Sequence, residues 1–144
     1  MHNYGYACIN QGFSLRPKSQ RITTNRTMIK RTFHDRGIEY ASELALQNLR
    51  DLHTILEWNL ENDIYFYRLS SNIIPWASEY ELVDMPNFGA IHAAALKAGN
   101  FARKHGMRLT SHPGPFNKLA SPKERVYKLT ETDLSVHGDL FDLI

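Results

Sequence analysis

The stretch RLTSHPGPFNKLASPKE, residues 108–124, carries the group best suited to chemistry: His112 follows the short run Arg108-Leu109-Thr110-Ser111 and precedes Pro113-Gly114-Pro115. An imidazole delivered at a strand end and backed by a stiff loop suits metal ligation, because a pre-oriented ligand loses little freedom on binding. One imidazole does not make a catalytic metal site, which needs three or more protein ligands, and a solitary histidine is commonly structural. His137 falls in a helical pattern one turn before Phe141, where packing or a hydrogen bond is its expected role. The others, His2, His34, His53, His92 and His105, form no HxxxH or HExxH pair that would set two ligands on one helix face. A single cysteine, Cys8, excludes an internal disulfide, a zinc ribbon and a CxxC redox pair. No GxGxxG or GxxxxGK[ST] phosphate loop is present.

Binding chemistry is more widely spread. The formal net charge is only +2, yet Arg16, Lys18, Arg21, Arg26, Lys30, Arg31 and Arg36 face one acid, Asp35, between Ile9 and Arg36. That segment carries +6 and the rest −4, the pattern of a phosphate-binding surface or of a solvated loop. Tyr6 and Asn10 flank the end of the first predicted strand. They could fill the interior and start a turn, or could contact a base or sugar where the strand opens. Ser70, Ser71 and Asn72 offer hydroxyls and an amide to phosphate oxygens, although such residues are ordinary in loops.

The elements that must position these groups follow from periodicity. Tyr4–Ile9, Ile64–Leu69 and Met107–Ser111 read as strands. Ala41, Ala45, Leu49, Leu52, Leu56 and Leu60 make one apolar face of a helix from about Glu39 to Glu61. Pro86 marks a helix start behind Asp84 or Met85, with Phe88, Ile91, Ala94, Ala95, Ala98, Phe101 and Ala102 as its stripe and Gly106 as its end. Ser121-Pro122-Lys123-Glu124 is a capping box opening a helix over Pro122–Leu143, with Val126, Leu129, Leu140 and Phe141 as buried candidates. The class is therefore α/β, with strand–helix units over about 4–61, 64–105 and 107–143 and parallel strands. Three units are either the first part of a (β/α)8 barrel, truncated at three-eighths, or a small open sheet. On the barrel rule the strand ends carry Asn10, Ser70, Ser71 and His112. No apolar run approaches the roughly 18 residues of a membrane span, and the N-terminus lacks signal-peptide features. A soluble chain is expected, cytoplasmic or nuclear and not secreted.

The segments YGYACINQGFSLRPKSQRITTNRT, ASELALQNLRDL, YFYRLSSNIIPWAS and RLTSHPGPFNKLASP resemble the amino-terminal half of UV-damage endonucleases, in the same order and spacing from about Tyr4 to Leu143. The resemblance implies a TIM barrel related to type IV apurinic endonucleases, with a cluster of divalent ions, Mn²⁺ or else Mg²⁺ or Zn²⁺. It implies damaged double-stranded DNA as partner and cleavage of the phosphodiester 5′ to a photoproduct. On matching positions His112 would be a metal ligand, and Tyr6 and Asn10 would approach the damaged nucleotides. The loop tip of Pro115, Phe116 and Asn117 would probe the duplex, with the basic loop gripping the backbone. Family members often carry Gln and an aromatic where Pro115 and Phe116 stand; Pro115 has no side-chain amide, and Asn117 is the candidate substitute. The family's remaining metal ligands would lie beyond Ile144, in the missing part of the barrel, so the chain alone is expected to be inactive. The alternatives are a non-catalytic nucleic-acid-binding fragment and a sugar-isomerase-like metalloenzyme barrel; the +6 segment argues against a neutral sugar. Phe116→Ala is expected to lower the preference for irradiated over intact duplex by about 5- to 150-fold, the worth of one stacked base. Divalent-ion binding measured in parallel should be unchanged, and equal loss of both would remove the wedge role.

Overall fold

Three short strands, β1 (Gly5–Ala7), β2 (Phe66–Arg68) and β3 (Arg108–Thr110), form the centre of the computed structural model, which describes residues 4–114 and 117–144. They pair in parallel in the order β1-β2-β3, with Tyr6 opposite Tyr67 and Tyr67 opposite Leu109. The parallel α/β expectation therefore holds. The strands are shorter than their apolar runs because the chain turns away beyond the pairing. Cys8, at φ 60°, still donates its amide to Arg68 O at 2.8 Å before the backbone leaves the ladder.

Side chains alternate across a sheet. Tyr6, Tyr67 and Leu109 point to the helical side, where Tyr67 is fully buried and the other two pack on the core. Gly5, Ala7 and Arg108 lie exposed, and Phe66, Arg68 and Thr110 half-buried, on the opposite face, where Arg108 sits 5.6 Å from the Phe66 ring centre. No helix packs on that face among the described residues.

Helix α1 (Gln11–Ser14) is one turn, held because Asn10 Oδ1 accepts from the Phe13 amide at 3.2 Å. Helix α2 (Lys30–Glu61) starts nine residues before the expected Glu39. Residues 30–38 have no apolar period, so periodicity could not find them. Gly37 breaks the helix at φ 65°, ψ −161°, a conformation open essentially to glycine alone. The short arm before the break is anchored by Phe33, whose ring stacks on Trp76 at 5.2 Å and 7°.

The most extensive helix pairing is α2 against α3 (Phe88–Lys104). Leu49, Leu52, Ile55 and Leu56 of α2 are completely buried, as are Ile91, Ala95 and Ala98 of α3, each large side chain contributing about 1.5–3 kcal/mol. Helix α3 begins later than Pro86 suggested. Its N-cap is Asn87, and the Asn87 amide donates to Ser42 Oγ at 3.1 Å, so α2 rather than a first-turn proline fixes the entry. The expected C-terminus stands, with Gly106 at φ 64°.

Helix α4 (Glu124–Leu143) also starts later than expected, because the capping box does not form: Ser121 Oγ accepts from the Lys123 amide instead, at 3.2 Å. Its buried stripe is narrow, comprising Thr130, His137 and Leu140. Val126 is half-buried, whereas Leu129 and Phe141 are exposed, contrary to the apolar pattern, because the main elements α4 packs on, α3 and the 3-10 turn Ala77–Glu79, do not cover them.

A Cβ on Gly5 would stand 2.3 Å from Phe66 Cδ1 and 2.4 Å from Phe66 O, so a larger residue must part β1 from β2. Gly5→Ala should destabilise the chain by about 1–3 kcal/mol, the usual range for overpacking. Thermal unfolding checks this; an unchanged midpoint would mean that the strands are not packed so closely there.

Candidate nucleic-acid interface and metal donor

Because the strands are parallel, Asn10, Ser70–Asn72 and His112 all follow strand C-termini and collect along one edge of the sheet. His112 is exposed, two residues past β3, and its Nδ1 lies 2.6 Å from Pro113 O. A carbonyl can only accept, so in the neutral ring this contact puts the proton on Nδ1 and leaves Nε2 its lone pair, one of the two forms in which histidine binds a metal. The donor set is incomplete: among the described residues no three His, Cys, Asp or Glu side chains gather as a metal-binding group. One imidazole fits a divalent ion as a single ligand and cannot hold it alone.

Bonds to α4 help fix the loop behind His112. Asp133 of α4 accepts from the Gly114 amide at 3.3 Å and closely from Asn117 Nδ2, which also reaches Gly114 O at 3.0 Å. Thr130 Oγ1 accepts from the Lys118 amide at 2.9 Å and donates to Val126 O. The Asn117 amide, expected to meet a displaced base, is thus engaged in holding its own loop. Pro115 and Phe116 lie outside the described residues. His137, expected to pack or hydrogen-bond, is buried, and its Nδ1 has no partner among the described residues.

Tyr6 and Asn10 are brought together. Asn10 Nδ2 donates to Tyr6 Oη at 2.9 Å, and Tyr6 donates to Asn59 Oδ1 of α2 at 2.6 Å. With its Oδ1 capping α1, Asn10 is 5% exposed; contact with DNA would require both side chains to leave these bonds. Ser70 is buried, its Oγ accepting from the Asn72 amide at 3.2 Å, while Ser71 and Asn72 are exposed.

The basic residues divide in the same way. Arg16, Lys18, Arg21, Lys30 and Arg31 are exposed. Arg16 covers the Phe13 ring at 4.7 Å, and Arg31 makes only a loose, exposed pair with Asp35 at 3.9 Å. Arg26 departs from the expected phosphate-contacting role: its guanidinium donates to Asp51 Oδ2 at 2.6 Å, Thr23 O at 2.7 Å and Arg21 O at 2.9 Å, binding the loop to α2. Further ties hold the loop to the sheet edge. Tyr67 donates to Cys8 O at 2.9 Å with Thr24 Oγ1 3.2 Å away, Asn25 Nδ2 reaches Cys8 O at 3.3 Å, and Trp76 Nε1 donates to Met28 O at 3.0 Å. Burial pushes the Tyr67 hydroxyl pKa up, against the opposing Thr24 hydrogen bond. Asn48, Asp51, Asn59 and Asp133 were not among the residues singled out from sequence. Asn48 and Asn59 had a signal available: both are amides at apolar-face spacing on α2, Asn48 between Ala45 and Leu52, Asn59 four residues after Ile55.

The family model described as UV-endonuclease UvdE matches residues 2–144. A UV-damage endonuclease of Schizosaccharomyces pombe is 35% identical over 136 residues, covering 94% of this chain and 22% of that protein. A UV DNA damage endonuclease of Clostridium perfringens is 30% identical over 138 residues, covering 96% and 31%. The crystal structure of SacUVDE superposes with a TM-score of 0.81 at 28% identity, over 96% of this chain and 44% of that one. The chain thus spans less than half the length of these relatives.

Burial lowers the pKa of His137, and a charge on His112 adds to the lowering, while Asp133 opposes both. The unfolded imidazole titrates near 6.5. Between the depressed folded value and about 6.5 the unfolded chain binds the proton more tightly, so stability is full above that window and falls as pH drops through it. His53, also lowered by burial, acts in the same direction. Urea midpoints should fall from pH 7.5 to pH 5.5, and His137→Gln should flatten part of that fall; an identical slope in the variant would exclude His137 as a source.

Proposed function

The chain belongs to the UV-endonuclease UvdE family, and we propose that it forms the DNA-binding and first metal-donor part of an endonuclease that nicks the phosphodiester 5′ to UV photoproducts. The observation carrying this reading is His112, with Nδ1 bonded to Pro113 O and Nε2 unengaged by that bond, on the sheet edge that also presents Ser71 and Asn72. A divalent ion, Mn²⁺ or else Mg²⁺ or Zn²⁺, supplies Lewis acidity toward a phosphoryl oxygen when bound. His112 would be one of its ligands, with the others from sequence of the kind the longer relatives possess. The three strand–helix units are, in this reading, the start of a (β/α)8 barrel, supported by the sequential parallel order and by a sheet face that no described helix covers.

The chain's own residues bind and orient DNA. Exposed Arg16, Lys18, Arg21, Lys30 and Arg31 track the phosphates, with Ser71 and Asn72 as neutral donors. Arg26, Tyr6, Asn10 and Ser70 hold that surface in shape. A substrate of this kind places the protein where DNA is, in cytoplasm or nucleus. Taken alone, a chain with one donor binds DNA without cutting it, the second reading that the donor count favours.

Irradiated plasmid and Mn²⁺ test both. The 144-residue chain should leave the plasmid supercoiled. A chimaera in which it replaces the matching part of the S. pombe relative should nick it, and His112→Ala in that chimaera should lower the rate by at least about 100-fold. Nicking by the chain alone, or a chimaera indifferent to His112→Ala, would defeat the metal-donor reading.

A further inference from the structure

We infer that Asn48 is a positioning residue that locks the basic loop and the turn after β2 into one rigid surface for the sugar–phosphate backbone; the inference rests on the DNA-binding reading above. Asn48 lies on α2 with no exposure to solvent. Its Oδ1 accepts from the Arg26 amide at 3.1 Å, and its Nδ2 donates to Arg26 O and to Ile73 O, both at 3.0 Å. One side chain therefore bonds two segments far apart in sequence and fixes both to the same rigid helix.

These two segments carry the exposed groups. Arg26 lies between Arg21 and Lys30, and buried Ile73 closes the turn of Ser71 and Asn72 through its amide bond to Ser70 O at 3.3 Å. Thr27 and Met28 on one side, and Ser71, Asn72 and Trp76 on the other, line a common open cleft. An amide buried at an apolar-face position costs free energy unless every bond is made, and a leucine there would pack the core without that demand. What the amide provides, and leucine cannot, is a fixed separation between the two loops. A polyanion with regularly spaced charges rewards such a fixed separation, because each donor then meets its phosphate without first being ordered.

The test is duplex-DNA binding by the intact chain across a salt series, for the unmodified protein, Asn48→Leu, Asn48→Asp and the core variant Leu52→Ala, all well below their melting temperatures. Leu52 is fully buried on the same helix and touches neither loop through a hydrogen bond, so it reports loss of stability alone. Asn48→Leu and Asn48→Asp should reduce the slope of log K against log salt by about one or two units, one to two phosphate contacts, while Leu52→Ala keeps the full slope. Equal slopes in the unmodified and Asn48 chains, or an equal reduction in Leu52→Ala, overturn the inference and leave DNA binding standing. Failure of the unmodified chain to bind overturns both. Should the Asn48 variants not fold, hydrogen exchange on the unmodified chain decides: the Arg26 amide should be protected like the core amides of α2, and free exchange there overturns the lock.

Discussion

Parallel pairing is the constraint from which the rest of this structure follows. Neighbouring strands that run the same way cannot be joined by a tight turn, so each must be followed by a long return, and here the returns contain α2 and α3. Two consequences come from that geometry alone. Every strand C-terminus opens on the same edge, which gathers Asn10, Ser70 and His112 from positions distant in sequence. The helices cover one face of the sheet and leave Phe66, Arg68 and Arg108 on the other.

The loops on that edge are long, and the molecule holds them with buried polar groups as well as with apolar ones such as Ile73 and Ile74. Asn10, Asn48 and Asn59 are at most 5% exposed, and each bonds to or beside a loop that reaches the edge. Asp51 and Asp133 do similar work at the two ends, one clasping Arg26 and the other gathering Gly114 and Asn117. Hydrogen bonds of this kind are directional, so they fix position where apolar contact would allow sliding. The groups left at the surface, the exposed basic side chains with Ser71, Asn72 and His112, are thereby presented on a rigid support.

This division of labour gives physical content to the match with the UvdE family, whose relatives are two to five times longer than the matched part. In the proposed reading the part in hand supplies a basic surface and one imidazole donor, His112. Binding a polyanion needs only the first. Hydrolysing it with a bound ion would need several ligands, a set larger than three strand ends of which one ends in histidine can offer.

The sequence by itself determined the α/β class, the parallel order and the long apolar face of α2, because these rest on periodicity and on chain connectivity, both local properties. It also placed His112 at a strand end. It missed the arm before Gly37, which is anchored through Phe33 on the distant Trp76 and Tyr80, and it misjudged Leu129 and Phe141, because an apolar residue at helical spacing is buried only if something packs over it. Only the tertiary structure decided which polar residues are free to meet a ligand. Arg26 and Arg21, or Asn117 and Asn72, are alike in type and loop setting, and what separates them is whether a partner such as Asp51 or Asp133, many residues away, has been brought within hydrogen-bonding distance.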